Sequence, residues 1–122
     1  MCGGRDYGTV RDPRDPASVS QAFAEIEAMD RVLSGTEGEW MLVHGAARGA
    51  DTLARKWAER NGIPHEPHPA KWDELGRAAG VIRNQEMLDT GIDLVVAFPG
   101  GRGTAHMVGI ARAAGVPIFE VR

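Results

Sequence analysis

The chain has 122 residues, of which 43% are apolar and 25% are charged, and this predicts a single globular domain over residues 1–122. A formal net charge of −3 argues against a protein that wraps nucleic acid, because such domains carry a basic excess. The apolar runs are too short to cross a bilayer, and no secretory signal pattern is visible. Together with a single cysteine, Cys2, these features predict a cytoplasmic protein without membrane contacts.

The first half of the chain predicts two helices and two strands. A loop at 11–16 leads into an amphipathic helix from Ser18 to about Leu33, followed by a buried strand over 40–44. A second helix covers 52–62, and residues 63–67 predict an edge strand because prolines weaken it. The inward positions expected in the first helix are Val19, Ala22, Phe23, Ile26, Met29 and Leu33.

The second half repeats this alternation. Residues 70–80 predict a loop with a helical turn, and 78–91 predict a helix with Val81, Ile82 and Leu88 facing inward. The run at 93–98 is the clearest buried strand, followed by a helix over 104–115 and a last strand over 116–121.

Strands that alternate with helices predict an α/β fold with a mostly parallel sheet. The expected form is a Rossmann-like three-layer α/β/α sandwich, in which ligands bind at the carboxyl ends of the strands. Only Met1 and Cys2 precede the first glycine loop, so the first strand is short or missing, the chain begins further upstream, or another segment takes that place.

Three loops at the predicted ligand edge combine glycine with arginine. Glycine lets backbone amides approach an anion, a following helix N-terminus adds unpaired N–H groups, and arginine donates paired hydrogen bonds to phosphate. The alternative for any one loop is a tight strand-to-helix turn. Taken together, the loops and an arginine on the 78–91 helix predict a phosphate site formed by Gly3, Gly4, Arg5, Gly45, Arg48, Gly49, Arg83, Asn84, Pro99, Gly100, Gly101, Arg102, Gly103 and Thr104.

Further side chains near these loops have two interpretations each. Asp51 is either a helix N-cap, which is favoured, or a hydrogen-bond partner of a ribose hydroxyl, and Asp6 is a second ribose or base candidate. Tyr7 either stacks on a base or packs at the rim. Trp72 either covers the pocket or packs, and His44 ends a strand at the ligand edge.

Several established site types are absent from the sequence. There is no Gly-Lys-Ser/Thr triplet of a P-loop and no G-x-G-x-x-G after a strand, so neither a P-loop NTPase nor a nicotinamide enzyme is supported. The segment at 65–68 predicts a solvated loop rather than a zinc site. No metal and no cofactor are predicted.

The motifs GGRDYG, VHGAARGADTLARKWAERNGIP, GRAAGVIRNQEML and DLVVAFPGGRGTAHMV together resemble the YspA-type branch of the SLOG superfamily. This resemblance covers nearly the whole chain and implies a Rossmann-like domain that binds nucleotides or nucleotide-derived ligands. The superfamily includes the Lonely Guy phosphoribohydrolases and the DNA-processing protein A family, which binds single-stranded DNA.

The Lonely Guy enzymes carry P-G-G-x-G-T-x-x-E with a catalytic glutamate, and R-K-x-x-M with a catalytic arginine. Residues 99–104 match the first motif, but Met107 stands at the glutamate position. Arg83 and Met87 match the second motif, with Asn84 in place of lysine. The resemblance therefore implies a retained phosphate cradle and incomplete glycosidic-cleavage machinery, unless another carboxylate such as Asp6, Asp51 or Glu86 takes the missing role.

The sequence therefore predicts a nucleotide binder or sensor rather than an enzyme. The alternative is a nucleoside-monophosphate phosphoribohydrolase, with Arg83 as its catalytic residue, and single-stranded DNA binding ranks last. A homo-oligomer is expected by analogy with SLOG relatives.

Overall fold

Short parallel strands alternate with longer helices in the computed structural model, which describes residues 1–36 and 38–121. Each strand has three residues, and a single turn of 3₁₀ helix, Gly76–Ala78, separates α3 from α4. The elements are α1 Pro16–Ser34, β1 Leu42–His44, α2 Ala50–Arg60, β2 His65–Pro67, α3 Trp72–Leu75, α4 Ala79–Asp89, β3 Val95–Ala97, α5 Arg102–Ala113 and β4 Ile118–Glu120.

The strands form two parallel pairs, β1 with β2 and β3 with β4. The opening residues lie between these pairs. The backbone nitrogen of Met1 donates to the carbonyl of Val43 at 3.0 Å, while that of Cys2 donates to the carbonyl of Val96 at 3.0 Å. Cys2 also forms a parallel bridge with Ala97. The predicted α/β fold with short parallel strands is therefore confirmed, and a stub at 1–4 takes the place of the first strand.

Two apolar clusters form the core. Leu42 and Val96 pack with the first cluster, whereas their neighbours Val43, Val95 and Ala97 belong to the second. Successive side chains of a strand point to opposite faces, so the two clusters lie on opposite sides of the strands. Helices α1 and α2 contribute to the first cluster, and α4 and α5 contribute to the second.

The start of α1 follows from its local sequence. Asp15 is the N-cap and its carboxylate accepts a hydrogen bond from the Ala17 N–H, while Pro16 is the first helical residue. The helix buries Met29 and Leu33, but Phe23 is 62% exposed. The prediction that Phe23 faces inward is therefore wrong.

Helix α4 buries a face that differs in part from the predicted one, since of the three residues expected to face inward only Leu88 packs against the second cluster. Val81 and Ile82 are 51% and 37% exposed, whereas Asn84 and Met87 are buried. The apolar period was misleading because a polar residue, Asn84, occupies the inner face, where its side chain is fully hydrogen-bonded. Within the described residues, none of the helices is long and apolar enough to span a bilayer.

Candidate functional site

A cleft of about 520 Å³ opens where the stub, β1 and β3 end. Its walls are the loops at 3–6 and 45–51, helix α4 and the first turn of α5. The lining residues are Met1, Cys2, Gly3, Gly4, Arg5, Asp6, Gly45, Ala47, Arg48, Asp51, Arg83, Asn84, Met87, Gly101, Arg102, Gly103 and Thr104. Most of the predicted site residues therefore meet at one place, although they come from distant parts of the chain.

The first turn of α5 borders the cleft. Gly101 is the N-cap and supplies no side-chain cap, and Arg102, Gly103 and Thr104 are the first helical residues. The first N–H groups of a helix have no partner within the helix, and the helix dipole makes this end positive. This turn therefore favours an anion in the cleft.

Pro99 and Gly100 lie behind this turn and do not line the cleft. The carbonyl of Pro99 accepts a hydrogen bond from the Gly4 N–H at 2.9 Å. A Cβ at position 100 would come within 2.7 Å of the Gly4 nitrogen and would collide with Oγ1 of Thr104. These two residues hold the 99–104 loop against the stub, which differs from the predicted direct contact with phosphate.

Arg83 reaches across the cleft from α4 to the end of β1. One terminal nitrogen of its guanidinium donates to the Gly45 carbonyl at 2.6 Å, and its Nε donates to Oδ1 of Asn84 at 3.0 Å. A Cβ at position 45 would collide with the guanidinium and would lie 2.9 Å from Oδ2 of Asp51. Glycine at position 45 therefore leaves the space that this arginine occupies, and a side chain there would force the guanidinium to shift.

Asn84 fixes the orientation of Arg83. Because Nε of Arg83 can only donate, the Asn84 atom that it contacts is the amide oxygen. The amide nitrogen then donates to the Gly103 carbonyl at 3.1 Å and to Nδ1 of His106 at 3.0 Å. This buried amide therefore connects the arginine of α4 to the first turn of α5.

Asp51 is a buried carboxylate in the cleft wall. It is the second residue of α2, whose N-cap is Gly49 without a side-chain hydrogen bond. The favoured prediction that Asp51 caps this helix is therefore wrong, and its Oδ2 instead accepts from the Ala47 N–H at 3.2 Å. Burial raises the pKa of Asp51, although the Ala47 hydrogen bond and Arg83 oppose the shift. Burial also lowers the pKa of Arg83, against the attraction of Asp51.

The rim of the cleft carries exposed cations. Arg48 lies 3.9 Å from Asp6, and both side chains are mostly exposed, so this pair is weak. The guanidinium of Arg5 lies 5.5 Å from the centre of the Trp72 ring, a cation–π distance. Trp72 therefore stands beside the opening, and 47% of it is exposed.

His44 supports the 45–49 loop from below. It is fully buried, and its Nδ1 accepts a hydrogen bond from the Ala46 N–H at 3.1 Å. The neutral ring therefore carries its proton on Nε2, which donates to Nδ1 of His65 at 3.0 Å. Burial lowers the pKa of His44 to about 4, and the neighbouring His65 adds to the shift. Ala46 has a φ of 55°, a left-handed conformation that this hydrogen bond helps to hold.

Three other predicted residues lie away from the cleft. Tyr7 is buried, packs on Phe98 at 5.2 Å and donates its hydroxyl to the Glu25 carbonyl, so it is no longer a base-stacking candidate. Gly49 has a φ of 78° and packs directly against the backbone of Arg5, so its role is to let two loops meet. Met107 is buried in the second apolar cluster.

Sequence reasoning missed residues that form the floor of the cleft. Cys2 and Met87 line it, and burial raises the pKa of the Cys2 thiol to about 11. Cys2 gave no signal of a site, whereas Met87 belongs to the RNQEM segment that resembles the second Lonely Guy motif. His44 and His65 contact each other diagonally across β1 and β2, because His65 is level with Leu42 and His44 with Pro67. That register could not be read from the sequence.

Comparison with known proteins identifies a family whose members share the first part of this chain. A profile of the YspA, cpYpsA-related SLOG family matches residues 1–74, a range that includes the 3–6 and 45–51 loops. The chain belongs to this SLOG family. The predicted resemblance is thereby confirmed.

A relative of this SLOG protein is known from Mycobacterium phage D29. That protein is named Gene 61 protein and is 45% identical over an alignment of 87 residues, which covers 66% of this chain and 70% of the phage protein. Its name states no function. The search of solved structures found no match. Neither comparison indicates what the cleft of this SLOG domain binds, so the residues that line the cleft are the guide to its chemistry.

Proposed function

We propose that the chain binds a phosphate-bearing nucleotide or a nucleotide-derived ligand in the cleft, as a binder or sensor. The observation that carries this proposal is the convergence of Arg5, Arg48, Arg83 and Arg102 with the open first turn of α5. Backbone N–H groups and guanidinium groups are the donors that phosphate oxygens prefer.

The charge of the cleft also supports an anionic ligand. Four arginines line it against two aspartates, Asp6 and Asp51, while the whole chain has a net charge of −3. A local positive excess on an acidic protein attracts small anions without favouring long polyanions. Single-stranded DNA binding is therefore the less favoured alternative.

Titration with the 5′-monophosphates of adenosine, guanosine, cytidine and uridine tests the proposal. We expect at least one of them to bind, and Arg102→Gln to weaken it about tenfold, since one charge-assisted hydrogen bond is worth about 1.5–3 kcal/mol. Arg102 is exposed at the start of α5, so this variant leaves the core intact. The control is Arg60→Gln, which removes the same charge at the end of α2. Absence of binding to all four nucleotides, or an equal loss in both variants, contradicts the proposal.

A nucleotide-cleaving activity is the second candidate, because Asp51 is a cleft carboxylate with a raised pKa beside Arg83. Such a group is suited to hold a proton for a leaving base. Asp6 also lines the cleft, whereas Glu86 does not. Release of free base from a nucleoside monophosphate, lost in Asp51→Asn, would establish this activity. Binding without release of base would support the sensor function.

We extend the proposal to the setting of the domain. A three-layer α/β/α arrangement over residues 1–122 accounts for the two core clusters on opposite sides of the strands. A cytoplasmic homo-oligomer is proposed because Trp72, Val81 and Ile82 expose apolar surface on α3 and α4. Light scattering after size-exclusion chromatography tests this, and a monomeric mass would contradict the oligomer.

A further inference from the structure

A second hollow of about 240 Å³ adjoins the cleft between α3, α4 and α5. Trp72, Arg77 and His106 line this hollow and do not line the cleft. The cleft and the hollow are direct neighbours, because five residues line both of them: Arg5, Arg83, Asn84, Arg102 and Gly103.

The hollow has an unbalanced charge. Arg5, Arg77, Arg83 and Arg102 line it, and no aspartate or glutamate of the described ranges does. Arg77 and Arg102 form no ion pair with any residue in 1–36 or 38–121, a state that they share with Arg14, Arg31 and Arg60 elsewhere on the surface. Like charges gathered without counter-charges repel one another, and an anion removes that repulsion.

His106 adds a neutral donor to the same hollow. Its Nδ1 accepts the hydrogen bond from the Asn84 amide nitrogen, so the neutral ring carries its proton on Nε2. Among the described residues, that Nε2–H has no protein acceptor. The tautomer is therefore set by the amide that also holds Arg83, and the ring offers a hydrogen-bond donor to a ligand.

We propose that this hollow is a second anion subsite, and that the ligand of the cleft carries two phosphate groups, one in each space. The inference deepens the proposed function and rests on it. Arg77 and His106 contact only the second phosphate, Arg102 lies between the two groups, and the ring of Trp72 forms the outer wall.

The test compares ligands with one and with two phosphates. The probes are the 5′-monophosphates of the four common nucleosides, their 5′-diphosphates and their 3′,5′-bisphosphates, each titrated by calorimetry at one fixed salt concentration. The two doubly phosphorylated series distinguish a second phosphate on the same arm from one across the ribose. We expect one of these series to bind at least about tenfold more tightly than its monophosphate, the factor of a single charge-assisted contact.

The variant Arg77→Gln separates the two subsites. It should abolish the advantage of the second phosphate and leave the monophosphate affinity unchanged, while Arg60→Gln should change neither value. Equal affinity for one and two phosphates, or equal losses in Arg77→Gln and Arg60→Gln, would overturn the second subsite and leave the proposed function in place. Failure of every nucleotide to bind would overturn both.

Discussion

Replacement of His44 by asparagine should remove a large part of the acid sensitivity of the fold. The pKa of His44 falls from an ordinary 6.5 to about 4 because the ring is buried. The folded state therefore binds the proton less readily than the unfolded state. The contribution of the neutral, buried His44 ring to the free energy of unfolding is therefore complete above pH 6.5, and it is lost as the pH falls towards 4. At about 1.36 kcal/mol per pKa unit, the free energy of unfolding falls by about 3 kcal/mol over the whole pH range between the two pKa values. About 2 kcal/mol of this loss occurs between pH 7 and pH 5.

The assay is urea unfolding at pH 7 and pH 5, followed by tryptophan fluorescence, to which the buried Trp57 contributes. Asparagine at position 44 keeps an oxygen acceptor near the place of Nδ1 and does not titrate. Because other groups also titrate, the decisive quantity is the difference between wild type and His44→Asn. We expect wild type to lose about 2 kcal/mol more than the variant. His68→Asn is the control, since this partly buried ring pairs with Glu66 at 3.0 Å and is the smallest of the causes that lower the pKa of His44. Equal losses in wild type and His44→Asn would refute the reasoning.

Three further variants or reagents test the cleft. Gly45→Ala should lower the free energy of unfolding by about 1–3 kcal/mol, because its Cβ collides with the Arg83 guanidinium; urea unfolding measures this, and Gly109→Ala, where a Cβ meets nothing within 4 Å, should cause no loss. Asp51→Asn should raise affinity for a monophosphate several-fold in calorimetry, since it removes a negative charge beside the anion, and a weaker affinity would contradict the placement of phosphate there. The thiol of Cys2, with its pKa raised to about 11, should react far more slowly with a thiol reagent at pH 8 in the folded protein than in urea, and equal rates would show that it is accessible.

The loops of the candidate site could be predicted from sequence because their chemistry is local. Glycine beside arginine after an apolar run predicts an anion-binding turn whatever the rest of the chain does, and Gly101, Arg102 and Thr104 lie at the first turn of α5 as that pattern implies. The short strands and their alternation with helices were also readable from apolar runs.

The direction of side chains was not readable in the same way. Asn84 occupies the inner face of α4 because three hydrogen bonds compensate its burial, and two of their partners, Gly103 and His106, come from α5. Tyr7 is drawn into the core by Phe98, which is far away in the sequence. The apolar periodicity of a segment indicates which residues share one face of a helix or strand. It does not indicate contacts between residues that are distant in the sequence.

The stub at 1–4 has a consequence for how the domain holds together. The β1–β2 pair lies on one side of the stub and the β3–β4 pair on the other. The cleft is lined by the segment at 45–51, which follows β1, and by the segment at 101–104, which follows β3. A ligand in the cleft would therefore contact residues that follow both strand pairs and also the stub between the pairs. Its binding energy adds to their cohesion, by about 2.7 kcal/mol at a concentration one hundred times its dissociation constant. A bound ligand would thus link the two strand pairs without a covalent bond, and the free energy of unfolding would rise with the concentration of the ligand.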